Sequence, residues 1–139
     1  MTDAALLAKK LAVIETSVRE LRTLARPEAI EHDVREERFV EHTLQIAIQA
    51  ALDAASHVVS DERLGEPRTN RELFELLARG GLLPPPLSTR LQAMAGFRNL
   101  LVHGYAIVDP RIVREVVEHH LGDLLAFVAA LRPRLAPGL

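Results

Sequence analysis

Between residues 28 and 64 the chain runs without a single Gly or Pro. Over that span its apolar residues recur at helical spacing. Val40, Leu44, Ala47, Ile48, Ala51, Ala55 and Val58 fall on one side of a helix that turns about 100° per residue. Arg26-Pro27 marks a turn before it, and Pro27 suits the first position of a helix. The expectation is one unbroken helix from Pro27 to about Asp61. An amphipathic helix of that length buries its apolar side against other elements of the fold. No strand pattern appears anywhere in the sequence, so those elements are helices too.

The flanking segments fit this reading. A first helix is expected from about Thr2 to Ala25, capped by Thr2 or Asp3. Its Leu7, Leu11, Ile14, Val18, Leu21 and Ala25 alternate steps of four and three, a seam for packing on a bundle. Residues 62–69 read as a loop. Thr69 with Glu72 three positions on is a capping box that opens a short helix from Asn70 to Arg79, ended by Gly80-Gly81. Pro84-Pro85-Pro86 then leads into a fourth helix that ends near Gly104. Asp109-Pro110 starts a last one, apolar from Ile112 through His120 to Leu131. The fold class expected is all-α, a bundle of about five helices. It forms a single domain over residues 1–132, with 133–139 a frayed C-terminal tail.

Composition narrows the function classes. Hydrophobic residues make up 48% and aromatics 4%, and there is no Cys, so neither a disulfide framework nor a thiolate metal site is available. No apolar run reaches the ~18 residues of a membrane span, and the start lacks a basic leader, which predicts a cytoplasmic protein with no membrane association. A net charge of −2 argues against coating nucleic acid indiscriminately, though not against a local basic cleft. Of the 17 basic residues only Lys9 and Lys10 are lysines. The rest are Arg, the side chain suited to bidentate phosphate contact; a high-GC genome gives the same bias. Six His invite a metal, but adjacent His119 and His120 point about 100° apart on a helix. Glu115 and His119 have no second Glu-x-x-His to complete a di-iron set. No metal and no cofactor are expected, and no Gly-rich phosphate loop is present.

Two stretches carry candidate chemistry. On the long helix Arg38, His42, Gln45, Gln49, Asp53 and Ser56 share one polar side. Such a mixture suits the wall of a pocket or a polar interface, or else an ordinary wet face. The second is Gly96-Phe97-Arg98-Asn99-Leu100-Leu101-Val102-His103-Gly104-Tyr105. It sets His103 in a last helical turn, where the helix end stabilises imidazolium and suits it to trade protons near neutral pH. Arg98 and His103 lie about 140° around and about 7.5 Å along the axis from each other, whereas Asn99 and His103 share a face. An Arg and a His together supply metal-free phosphoryl transfer, the His moving protons and the Arg stabilising charge on phosphorus oxygens. One His per chain is a single acid/base; a two-fold dimer supplies both. On spacing alone, the pair reads more readily as a surface or interface Arg and a helix-end His than as a catalytic pair.

The ten residues from Gly96 to Tyr105 resemble the signature of the HEPN superfamily, and within it the HepT-like toxins: Arg, four residues, His, one residue, Tyr. The similarity extends through residues 38–49, Leu52-Asp53 and Phe74-Glu75-Leu76-Leu77, in the expected order and over residues 5–130. The resemblance implies a helical homodimer whose composite site acts as a metal-independent endoribonuclease on RNA. It further implies a partner antitoxin, a minimal nucleotidyltransferase of the MntA type, that silences the toxin by transferring AMP from ATP. Arg98 and His103 match the catalytic pair, Asn99 the polar position after the Arg, and Tyr105 the AMP acceptor. His42, Gln45 and Gln49 are read as cleft lining. The alternative reading is a non-catalytic subunit that presents nucleotide or substrate to a nucleotidyltransferase.

Overall fold

The computed structural model describes residues 3–103 and 108–135, and among these the regular structure is entirely helical. Helix α1 spans Ala4–Leu24, α2 Val34–Asp61, α3 Asn70–Arg79, α4 Pro85–His103, α5 Pro110–His119 and α6 Leu121–Leu131. Short 3-10 turns at Pro27–Ala29 and Arg132–Leu135 complete the order.

Helices α1 and α2 pack antiparallel. At one end the Asp3 backbone N–H donates to His57 Nε2 at 3.0 Å; at the other, the Arg26 N–H donates to Glu36 Oε2 at 2.7 Å. The α1 seam buries Leu7, Leu11, Ile14, Val18 and Leu21 as expected, and its cap is Asp3, whose carboxylate accepts from the Ala5 and Leu6 N–H groups. The α2 stripe of Val40, Leu44, Ala47, Ile48, Ala51, Ala55 and Val58 is almost wholly withdrawn from solvent. Helices α3 and α4 form a second antiparallel hairpin against α2, and α6 closes the bundle over α1 and α4. Phe74 of α3 meets Phe127 of α6 edge-on, with ring centroids 5.7 Å apart.

Three boundaries differ from the sequence expectation. The long helix does not start at Pro27. Pro27–Ala29 makes only a 3-10 turn, Ile30 plunges into the core, and the helix begins at Val34, where the Asp33 carboxylate accepts from the Arg35 and Glu36 N–H groups. A side-chain cap starts the helix with no Gly or Pro at that boundary. The helix from Asp109-Pro110 is two: at His120 (φ −120°, ψ 0°) the chain steps out of helical geometry and restarts at Leu121. The step turns the second half so that Leu121, Leu124, Val128 and Leu131 reach the core while Ile112 in the first half stays 43% exposed. Finally, residues 133–135 do not fray: Leu135 packs against the core and Arg134 pairs with Glu62 at 3.2 Å.

The α3 boundaries match the expectation. Thr69 Oγ1 accepts from the Glu72 N–H, while the Glu72 carboxylate reaches the Arg68 N–H rather than that of Thr69. At the other end Gly81 takes φ +78°, with Leu82 N–H bonding to Leu77 C=O and Gly81 N–H to Ala78 C=O, a Schellman close. Ser88, buried on the inner side of α4, donates its hydroxyl to the Phe74 carbonyl at 2.9 Å.

Candidate active site

The two stretches singled out in the sequence come together in space. Helix α4 lays its C-terminal half against the middle of α2, and the α1–α2 hairpin brings the first turns of α1 alongside. Between the three lies a cleft of about 350 Å³ lined by Lys10 and Val13 of α1, His42, Gln45, Ile46, Gln49, Ala50 and Asp53 of α2, and Arg98 of α4. The polar stripe of α2 is the wall of a pocket.

Arg98 reaches this cleft because it leaves α4 about 100° away from Asn99. Asn99 and Leu100 face solvent, while Arg98 is half-buried. Its Nη2 donates to Gln49 Oε1. Gln49 Nε2 in turn donates to Asp53 Oδ1 at 2.8 Å, one helical turn further on. The other Asp53 oxygen accepts from Lys10 Nζ at 3.1 Å. Arg98 Nε is buried and has no hydrogen-bond partner among the described residues. A guanidinium carries five donors, and the bond to Gln49 is the one Arg98 makes among the described residues on the cleft wall.

His103 is the last residue of α4, at the same end of the helix as Arg98. Gly104, expected as the helix cap, and Tyr105, expected as the AMP acceptor, lie outside the described residues. Of the remaining candidates, His42 is exposed at the rim, and Gln45 and Gln49 are half-buried along the wall. Asn99 does not line the cleft. Arg38 and Ser56 extend the stripe past both ends of the cleft and are exposed.

Sequence reasoning missed Lys10, which was noted only as one of the two lysines. Its signal lay in the packing: an antiparallel partner seamed at Leu7, Leu11 and Ile14 sets Lys10 on the flank nearest α2. It also missed Val13 and Ile46, apolar side chains left 38% and 41% exposed at the cleft edge. Among the described residues no group of three or more His, Asp or Glu is placed to hold a metal ion, and no helix is long and apolar enough to cross a membrane.

An all-helical fold with an Arg and a His at one end of a helix beside a polar cleft defines a class, and comparison with known proteins specifies it. The fold superposes on the tri-AMPylated HEPN toxin of Shewanella oneidensis, solved in complex with its MNT antitoxin, with a TM-score of 0.86 and 31% identity over 96% of this chain and 99% of that one. A toxin–antitoxin complex with AMP-PNP gives 0.86 and 30% identity over 93% and 98%. The cytosolic protein YutE of Bacillus subtilis shares the fold alone, at 16% identity and a TM-score of 0.86, covering 96% and 91%.

The family model for HepT-like ribonucleases matches residues 14–131, and the chain belongs to that family. Curated relatives are the mRNA nuclease HepT of Shewanella oneidensis, 39% identical over 64% of this chain and 67% of that protein, and the tRNA nuclease HepT of Aphanizomenon flos-aquae, 36% identical over 70% and 66%. The chain thus spans about two thirds of each relative's length.

Proposed function

We propose that this chain is the RNA-cleaving toxin of a toxin–antitoxin pair, with Arg98 and His103 as its catalytic residues. The observation that carries the proposal is Arg98 held half-buried on the wall of a polar cleft, with one buried N–H unsatisfied, at the helix end that His103 terminates. The names of the relatives support the substrate class: one is an mRNA nuclease and the other a tRNA nuclease.

The reaction needs no metal. A ribose 2′-hydroxyl attacks the adjacent phosphorus and gives its proton to an imidazole. The bond from phosphorus to the 5′-oxygen breaks, and that oxygen takes a proton from an imidazolium. The products are a 2′,3′-cyclic phosphate and a 5′-hydroxyl, with every proton accounted for by two His. Each chain brings one His103, so the complete acid–base pair is that of a homodimer, with Arg98 side chains stabilising the charge on the phosphorus oxygens. Val13 and Ile46 at the cleft edge supply apolar surface for the second copy.

The same reading gives Tyr105 its role. A nucleotidyltransferase antitoxin of the MntA type transfers AMP from ATP to the Tyr105 phenol oxygen, releasing pyrophosphate. The new phosphodiester sets negative charge and bulk two residues from His103, where an RNA phosphate docks. The tri-AMPylated state of the Shewanella toxin supports this assignment.

The test is the chemistry of the cut ends. The purified chain, incubated with mixed tRNA and mRNA in excess EDTA, is expected to leave 2′,3′-cyclic phosphate and 5′-hydroxyl termini. Termini carrying 5′-phosphate, or cutting that EDTA abolishes, would contradict the proposal. No cutting at all, with nucleotide bound instead, is the result the substrate-presenting alternative predicts.

A further inference from the structure

We propose that Gln49 is the positioning residue of Arg98, and that Asp53, held by Lys10, fixes which way the Gln49 amide faces. The inference rests on the reading of Arg98 as the arginine that meets the reacting phosphate.

A primary amide is nearly symmetric in shape and opposite in polarity at its two ends, so its orientation must be set by its neighbours. The Gln49 oxygen accepts from Arg98 Nη2, and its NH₂ donates to Asp53 Oδ1 at 2.8 Å. An ionised carboxylate only accepts. Asp53 therefore admits only the NH₂ of Gln49, which leaves the oxygen for Arg98. Lys10 Nζ takes the second Asp53 oxygen at 3.1 Å and keeps the carboxylate in place. Donor-to-acceptor order then runs from Arg98 to Gln49 to Asp53, with Lys10 donating from the far side. Each link has one allowed polarity.

The alternative account is stability alone: Gln49 and Asp53 sit at i and i+4 on α2, a spacing that stabilises helices modestly. The Lys10–Asp53 pair is 34% and 39% exposed, a setting in which an ion pair adds little to stability. Its consequence is directional. Asp53→Asn keeps shape and spacing but has one oxygen and one NH₂. With Lys10 claiming the oxygen, the Asn NH₂ faces Gln49, the Gln49 amide turns over, and its NH₂ confronts the Arg98 guanidinium. Donor then meets donor, and Arg98 is released. Removing Lys10 as well frees the Asn oxygen to face Gln49, and the original order returns.

The experiment uses the full chain labelled with ¹⁵N-arginine, the Arg98 guanidinium signals being assigned by their loss in Arg98→Lys. Rotation of that guanidinium and exchange of its protons are expected to be slow in the unaltered protein and fast in Gln49→Leu and in Asp53→Asn. They return to slow in the Lys10→Met/Asp53→Asn double variant. Cleavage should follow: kcat falls about 10- to 100-fold in both single variants, as expected for a misplaced catalytic group, with KM little changed, and recovers in the double variant. Equal Arg98 dynamics in Gln49→Leu and the unaltered chain, or no recovery on adding Lys10→Met, would overturn the proposal. If Arg98→Ala cuts RNA at the full rate, the catalytic reading of Arg98 falls, and the guanidinium signals alone decide the relay.

Discussion

Glu41, on α2, shows how a single side chain sets a pH dependence. Its pKa is raised above the usual carboxylate value, chiefly because partial burial strips water from it, and further because Glu37 lies one turn away; Arg38 opposes both. A carboxyl whose folded pKa exceeds its unfolded one holds its proton more tightly when folded. Its ionisation therefore costs stability above the folded pKa, and the cost vanishes below the unfolded pKa. Glu41→Gln should raise the melting temperature at pH 7 and make no difference near pH 4, which thermal melts at the two pH values check. Residue by residue, the site was half legible. Arg98 and Gln49 were both singled out, but on separate helices and for separate reasons. That they bond to each other across 49 positions is a property of how α4 crosses α2. Helical geometry paired Asn99 with His103; in the single chain Asn99 is exposed, about 100° around α4 from the inward Arg98. Lys10 was legible only as one of the two lysines.

At the scale of the helices, boundaries marked by Gly80-Gly81, by Asp109-Pro110 or by the Asp3 and Thr69 caps could be read, whereas Pro27 misled and the cap inside a charged run went unread. Gly80-Gly81 announced the end of α3, and Gly81 takes the left-handed conformation that such an end requires. Helix α2 ends the same way, with Leu64 N–H on Val59 C=O and Arg63 N–H on Ser60 C=O, but there the left-handed position at φ +53° is filled by Arg63. An L side chain is strained in that conformation. Arg63→Gly should therefore stabilise the protein by about 0.5–1 kcal/mol, seen as a higher denaturant midpoint at unchanged slope. At the other end of α2, the cap at Asp33 went unread because an acidic residue inside a charged run looks like any other. Asp33→Ala should cost about 1 kcal/mol, measured the same way, and fray the first turn of the helix. The step at His120 between α5 and α6 is marked only by Gly122 two positions on, which an otherwise apolar helical pattern hides. The continuous apolar pattern from Ile112 to Leu131 suits one helix as well as two, and only packing decides.

At the scale of the whole molecule, the all-helical bundle followed from a long Gly- and Pro-free amphipathic segment with no competing strand pattern, and the seams of α1 and α2 met as their spacing required. On the proposed function, two copies meet across the cleft edge, with Ile46 and Val13 at the contact. Ile46→Asp should shift the protein from dimer to monomer in sedimentation and lower the cleavage rate in proportion to the dimer lost; an unchanged dimer would move the contact elsewhere. On the same proposal AMP on Tyr105 acts at this scale, since one partner enzyme closes a site made by two chains. The account stands most directly on single-turnover cleavage of RNA in excess EDTA, with the unaltered chain beside Arg98→Ala and His103→Ala. It predicts rapid metal-free cleavage by the unaltered dimer and a loss of 100-fold or more, on the order of what a general acid–base group supplies, in each folded variant. Cleavage by either variant at the unaltered rate would contradict it.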